Sequence, residues 1–113
     1  TDLPLTSRQL KRILKRTGVG IARTGGYTGH GSGEVMIGFT TANRIPSGCE
    51  EELLQLSAIP EHVINRAFLA AAEAEQEAIL NSMTAAKQTR GREGELYYSL
   101  AEYLNDREVE TSK

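Results

Sequence analysis

A chain of 113 residues with 13 basic and 15 acidic side chains, formal charge −2, is at most one domain, and the near balance argues against a dedicated nucleic-acid binder, whose phosphate contacts need surplus Lys and Arg. No apolar run approaches the ~20 residues that span a bilayer, so no membrane partner is expected. The single cysteine, Cys49, excludes an internal disulfide and a thiolate zinc cage and suits a cytoplasmic setting. A chain this short buries about two thirds of its unfolded surface, enough for a core but with little room for a complete deep active site, which leaves a partner chain as an option. The opening Thr1-Asp2 reads as that of a processed product or a cleaved half.

Thr6 followed three residues later by Gln9 is a capping box, with Leu5 and Leu10 placed as its hydrophobic staple. A short helix is predicted from there to Gly18, with Leu10, Ile13 and Leu14 as its apolar stripe and Lys11, Arg12, Lys15 and Arg16 on a solvated face. Residues 19–24 are β-branched and small and predict a strand. Residues 25–33, GGYTGHGSG, hold five glycines and predict a loop. Residues 34–41 (EVMIGFTT) predict a second strand with a two-residue period. Val35, Ile37 and Phe39 then form a core face, while Ser32, Glu34, Met36, Gly38 and Thr40 share the other. Residues 42–59 read as irregular connection with at most one helical turn near 51–56. From Pro60 a long helix is predicted to about residue 89, capped by Gly91, with Val63, Ala67, Ala70, Ala74 and Ala78 as a small-residue seam. A short amphipathic tail helix is expected over 95–106, with frayed residues at the end.

Few residues carry chemistry. The glycine-rich loop precedes a strand rather than a helix and lacks a Gly-Lys-Ser/Thr, which argues against a phosphate cradle. Ser32 and Glu34, at i and i+2 on an extended chain, project to one side, where a carboxylate can hold an amine and a hydroxyl can donate to a reacting oxygen. The alternative is a solvent-facing strand end. His30 and His62 form no metal-ligand pattern, and Cys49 has no neighbour that favours a thiolate. Thr1 has an α-amine able to serve as base for its own hydroxyl, but the buried strand such a nucleophile needs does not follow it.

The ordered segments LTSRQLKRILKRTGVGIARTGG, GHGSGEVMIGFTTAN and EAILNSMTAAKQTRGREG resemble the β chain of the L-aminopeptidase/D-esterase (DmpA-like) family, which includes the β-peptidyl aminopeptidases. The resemblance spans about residues 1–95. It implies a precursor that cuts itself into an α and a β chain, folded together as an αββα sandwich and associated as a higher oligomer of αβ units. The β chain of such enzymes opens on a serine whose hydroxyl attacks an amide or ester carbonyl, with its free amine as base. The family's G-S-G-acid motif supplies a serine and an acid that support this nucleophile, here Ser32 and Glu34. His30 stands where the family's Asn is expected, and the oxyanion donors are expected mainly from the α chain. The family's nucleophile strand leads into a segment resembling Thr1-Asp2-Leu3-Pro4-Leu5, and as it is not in this sequence it is expected either on a separate piece or, the chain being an incomplete β chain, as some seven residues upstream of Thr1 that open with Ser and are rich in Ile and Val.

The reading is an α+β domain spanning 1–113, in which two central strands over 19–24 and 34–41 are covered by the alanine-rich helix. It forms part of an αββα sandwich completed by an α chain from the same precursor. Its function is hydrolysis of N-terminal residues from small peptides, amides or esters, without metal or cofactor. The alternatives are a non-catalytic assembly module and an acyltransferase relative that uses Thr1.

Overall fold

Thr6 opens the first helix, α1 (Ser7–Arg23), through the predicted capping box. Its hydroxyl accepts from the Gln9 N–H at 3.2 Å, and Gln9 Oε1 accepts from the Thr6 N–H at 3.1 Å. Leu5, the outer half of the staple, is buried. Gln9 is buried as well, because its Nε2 also donates to the Ile59 carbonyl at 2.7 Å and to Glu61 Oε1 at 3.3 Å. One side chain thus caps α1 and ties it to residues fifty positions away. The computed structural model describes the backbone of residues 1–111 and the side chains of residues 1–105. It divides into two compact units, Thr1–Gln76 and a second from Glu77 onward.

α1 does not stop at Gly18, and residues 19–24 are not a strand. The helix runs to Arg23 and ends in a Schellman turn: Gly26 N–H bonds the Ile21 carbonyl, Gly25 N–H bonds the Ala22 carbonyl (both 3.1 Å), and Gly25 has φ +97°. Two helical glycines, each disfavoured by about 1 kcal/mol against Ala, signalled a break. Packing overrides that propensity. A Cβ on Gly20 would lie 2.6 Å from the Ala72 carbonyl oxygen and 2.7 Å from Glu75 Cβ, so Gly20 is where two helix backbones approach.

The partner is α2 (Ile64–Ala85), entered through a 3-10 turn at Glu61–Val63 for which Pro60 is the extended cap rather than the first helical residue. No helical turn forms over 51–56. The inward positions of α2 in the first unit are Ile64, Ala67, Phe68, Ala71, Ala72, Glu75 and Gln76, a stripe at i, i+3, i+4 and i+7 spacing. Of the predicted seam, Ala67 lies on it, whereas Ala70 and Ala74 are exposed, because the stripe follows Ile64 and Phe68 rather than Val63. Phe68 is stacked by two guanidinium groups of α1, with Arg16 at 4.1 Å and Arg12 at 5.2 Å from its centroid. The predicted basic face of α1 is therefore only half solvated: Lys11 and Lys15 are exposed, and Arg12 and Arg16 fold over α2.

Residues 32–40 run without turn or bend, and burial alternates from Val35 to Thr40, the period predicted for a strand, whereas 32–35 are all exposed; they pair in no described sheet. The faces are inverted relative to expectation. Met36, Gly38 and Thr40 are half-buried, with a Cβ on Gly38 reaching within 2.7 Å of Leu14 and the Met36 methyl 3.4 Å from the corresponding point on Gly18. Val35, Ile37 and Phe39 point outward at 89%, 87% and 70% exposure. The predicted pair of central strands under one helix is thus replaced by two packed helices carrying one extended segment. Among the described residues the buried apolar set is Leu5, Ile64, Ala67 and Ala72, all in the first unit.

In the second unit α2 ends at Ala85 and the chain turns into an antiparallel hairpin, β1 (Thr89–Arg90) with β2 (Leu96–Tyr97), in the register Thr89 to Tyr97 and Arg90 to Leu96. Gly91 does not cap the helix. It starts the hairpin turn, with its N–H bonded to the Glu95 carbonyl at 2.8 Å, and Gly94 supplies the positive φ of +90°. A second capping box starts α3 (Leu100–Thr111): Ser99 Oγ accepts from the Glu102 N–H, and Glu102 Oε2 accepts from the Ser99 N–H at 2.8 Å. The tail helix therefore begins five residues later than predicted, and the fraying expected at the end falls partly on residues 112–113, outside those described.

Two outcomes follow from this packing. Gly20→Ala, which would stabilise an exposed helix by up to about 1 kcal/mol, will destabilise the chain by about 1–3 kcal/mol because the new methyl meets backbone. Urea unfolding measures it, and a raised midpoint would contradict the helix contact. A hydrogen bond from Arg12, aided by Gln9 and the charges of Arg12 and Arg8, holds the Glu61 carboxyl below its usual value despite an opposing effect of burial. A lowered folded-state value means that this stability is complete above the unfolded-state value and is lost as pH falls through the folded one. Glu61→Gln will therefore lower the urea unfolding midpoint at pH 7, and the difference from the parent chain will shrink as pH falls through the folded-state value; a difference that does not shrink on acidification would contradict the ion-pair origin.

Candidate active site

The Schellman turn that ends α1 feeds directly into the glycine loop, so the site begins where the helix stops. Thr28 takes φ +53°, and a tight turn brings the Ser32 N–H to the Gly29 carbonyl at 3.1 Å. The Ser32 hydroxyl also turns back to that carbonyl, at 3.4 Å. The loop and Glu34 enclose a shallow cup of about 340 Å³, and Ser32, Glu34 and His30 all line it. The two residues singled out by their i, i+2 spacing thus border one depression, both exposed. Glu34 has no hydrogen bond or ion pair among the described residues. A free carboxylate beside a loosely held hydroxyl is equipped to receive a cationic or amine group.

Glu34 also borders a second, smaller cavity of about 190 Å³, shared with Thr17 and Ile21 of α1, Met36, and Glu75 of α2. Glu75 was not singled out from sequence. The available signal was its place on the inward stripe of α2, where an apolar residue is expected.

The far end of the extended segment is fixed by the chain's own first residues. The Thr1 amine donates to the Phe39 carbonyl at 3.3 Å, the Thr41 N–H donates to the Thr1 carbonyl at 3.0 Å, and the Thr40 hydroxyl donates to the Leu3 carbonyl. Asn43 then clasps the connection that follows: its amide donates to the Ser57 carbonyl at 2.9 Å and its Oδ1 accepts the Ser57 N–H at 3.0 Å, closing the loop over 44–56. The Ile59 N–H bonds the Pro4 carbonyl at 2.9 Å. Thr1 does not join Ser32 and Glu34. Six residues of extended chain separate Thr40 from Glu34, about 20 Å at ~3.3 Å per residue, and the Thr1 hydroxyl accepts from the Leu3 N–H at 3.2 Å. His62 and Cys49 are exposed and lie outside the cup. No group of three or more potential metal ligands is gathered among the described residues, and no described helix is long and apolar enough to cross a membrane.

Residues 1–97 match the model of peptidase family S58, and the chain belongs to that family. It is 34% identical over 94 residues to the β-peptidyl aminopeptidase BapA of Sphingosinicella microcystinivorans, a match that covers 83% of this chain and 24% of that protein. Among solved structures it superposes on the PH0078 protein of Pyrococcus horikoshii OT3 with a TM-score of 0.84 and 46% identity, covering 94% of this chain and 30% of that one. It also superposes on the L-aminopeptidase D-Ala-esterase/amidase of Ochrobactrum anthropi (TM-score 0.79, 33% identity, 88% and 28% covered), described as a prototype of the serine aminopeptidases and a variant of the Ntn hydrolase fold. The chain thus spans about a quarter of the length of the β-peptidyl aminopeptidases it matches.

The Asn43 clasp is directly testable. Asn43→Ala removes both hydrogen bonds to the exposed Ser57 backbone, at a cost of about 0.5–1.5 kcal/mol each. Cleavage by trypsin after Arg44 will accelerate several-fold in the variant, read by mass spectrometry, and an unchanged rate would show that the loop is held by other contacts.

Proposed function

We propose that this chain is the β-chain portion of a self-processing serine aminopeptidase that hydrolyses N-terminal residues from small peptides, amides or esters. In this reading an α chain from the same precursor completes an αββα sandwich and the pocket, and αβ units associate further. The nucleophile is a serine opening a strand upstream of Thr1. Its hydroxyl attacks the substrate carbonyl, its free amine takes the proton, and the acyl-enzyme is released by water. Ser32 and Glu34 are the supporting catalytic residues. Glu34 holds the nucleophile's amine through its carboxylate, and Ser32 orients the hydroxyl. Neither a metal nor a cofactor is required by these steps.

The observation that carries the reading is the pairing of Ser32 with a partnerless Glu34 on one cup, at the head of a segment whose other end is bonded to Thr1. Support for the sandwich comes from the outward face of Val35, Ile37 and Phe39. Burying three such side chains is worth about 1.5–3 kcal/mol each, so a second layer over them is strongly favoured. The reading that uses Thr1 as nucleophile is disfavoured by its distance along the segment from the cup. An assembly module without catalysis shares the same apolar face but gives Glu34 no task.

In the complete two-chain protein, Ser32→Ala and Glu34→Gln will each lower release of amine from amino-acid amides by on the order of 10²-fold, with the α and β chains still co-purifying. Unchanged turnover in both variants would refute the catalytic assignment and favour the assembly module.

A further inference from the structure

Charge is unevenly divided within the first unit. α1 carries six cations, Arg8, Lys11, Arg12, Lys15, Arg16 and Arg23, and no acid, in a chain whose formal charge is −2. Four of them, Arg8, Lys11, Arg12 and Lys15, fall at i, i+3, i+4 and i+7 on one face and line a depression of about 400 Å³. Arg12 is fixed over Phe68 and paired with Glu61, and Arg8 lies 3.8 Å from the same carboxylate. Lys11 and Lys15 are exposed and have no hydrogen bond or ion pair among the described residues. One glutamate therefore faces four like charges, spaced where they repel one another along the helix. The opposite imbalance stands on the loop closed by Asn43. Glu50, Glu51 and Glu52 are consecutive, exposed and without a partner among the described residues, with exposed Leu53 and Leu56 beside them. No residue of that loop lines the depression of its own copy.

We propose that the basic face of α1 binds the Glu50–Glu52 loop of a second copy of this chain. Charge and dimension both fit. Arg12, the nearer of the two arginines, takes up the charge of Glu61, which leaves Arg8, Lys11 and Lys15 for three carboxylates. Lys11 and Lys15 are one helical turn apart, ~6 Å along the axis at ~1.5 Å per residue, and two glutamates separated by one residue span about the same at ~3.3 Å per residue. The walls of the depression are the aliphatic stems of Lys and Arg, against which Leu53 and Leu56 can be buried while the charged ends meet. Each copy has one groove and one loop, so two copies can exchange both contacts about a twofold axis. Opposed charge of this kind fixes partner and register more than it adds strength. The proposal does not rest on the hydrolytic reading, because neither Ser32 nor Glu34 belongs to either surface.

Charge reversal in the complete two-chain protein tests this. Lys11→Glu/Lys15→Glu and Glu51→Lys/Glu52→Lys, all at exposed positions, will each weaken pairing of copies at least about tenfold by sedimentation velocity. Mixed together they will pair again, because the reversed groove of one meets the reversed loop of the other and the native groove meets the native loop. Pairing of the parent will weaken in the same sense as salt is raised from about 0.05 to about 0.5 M. In a mixture of isotopically labelled and unlabelled parent, a carbodiimide will join Lys11 or Lys15 of one copy to Glu50, Glu51 or Glu52 of the other. Single variants that pair like the parent, a mixture that stays apart, or cross-links confined within one copy would overturn the proposal. So would loss of the α chain from the groove variant with copy pairing unchanged, which would make the α chain the occupant. Hydrolysis of an amino-acid amide is followed on the same samples. Pairing of this kind in a protein without hydrolysis would leave the interface standing and sink the proposed function, whereas hydrolysis with pairing unaltered by the variants would do the reverse.

Discussion

The arrangement of the first unit depends on a side chain that is absent. Gly20 lets α1 meet the backbone of α2 at Ala72, and any larger residue would push the helices apart. With 100° per residue, Gly18 and Leu14 lie far around α1 from Gly20, about 200° and 240° away. The same helix therefore packs on α2 along one side and seats Gly38 and Met36 along another. Because α1 ends in the Schellman turn at Gly25, its length also decides where the glycine loop begins, and hence where Ser32 and Glu34 emerge. Helix packing, loop entry and the position of the candidate site are in this sense one constraint.

A second constraint is set by what the chain leaves uncovered. Leu5, Ile64, Ala67 and Ala72 form a small core, and three large apolar residues in alternation face outward from the extended segment. Contiguous apolar surface of this kind marks an interface. The family relationship supplies the scale, since the matched β-peptidyl aminopeptidases are about four times longer than the aligned portion. Gln9, the Arg12–Glu61 pair and the Asn43 clasp hold the N-terminal residues, the loop and the start of α2 together, so the uncovered face is presented by an ordered scaffold.

Much of this was legible in the residues, and the misses have identifiable causes. The Thr6–Gln9 box announced the start of α1 because capping is a local interaction of fixed spacing. The two-residue period was readable for the same reason and holds from Val35 to Thr40, whereas Ser32 and Glu34 are both exposed and share the border of the loop cup. Which face of that segment turns inward was not, because the period fixes only that two sets alternate, and the seat provided by Leu14 and Gly18 decides which of them packs. Residues 19–24 look like a strand by β-branching and glycine content, yet a long-range contact with Ala72 makes them helical. Glu75, beside Glu34 in the second cavity, was hidden for a related reason: its position matters only once α2 is laid against α1 and the extended segment.

In the proposed function Ser32 and Glu34 serve a nucleophile carried on another strand and are not themselves the site of attack. Trapping the acyl-enzyme of the complete protein with a slowly hydrolysed amino-acid ester, followed by peptide mapping, tests this most directly. The proposed mechanism predicts the acyl group on a serine that precedes Thr1 in the longer protein. An acyl group on Ser32 or on Thr1, or none on any residue while turnover proceeds, would contradict it.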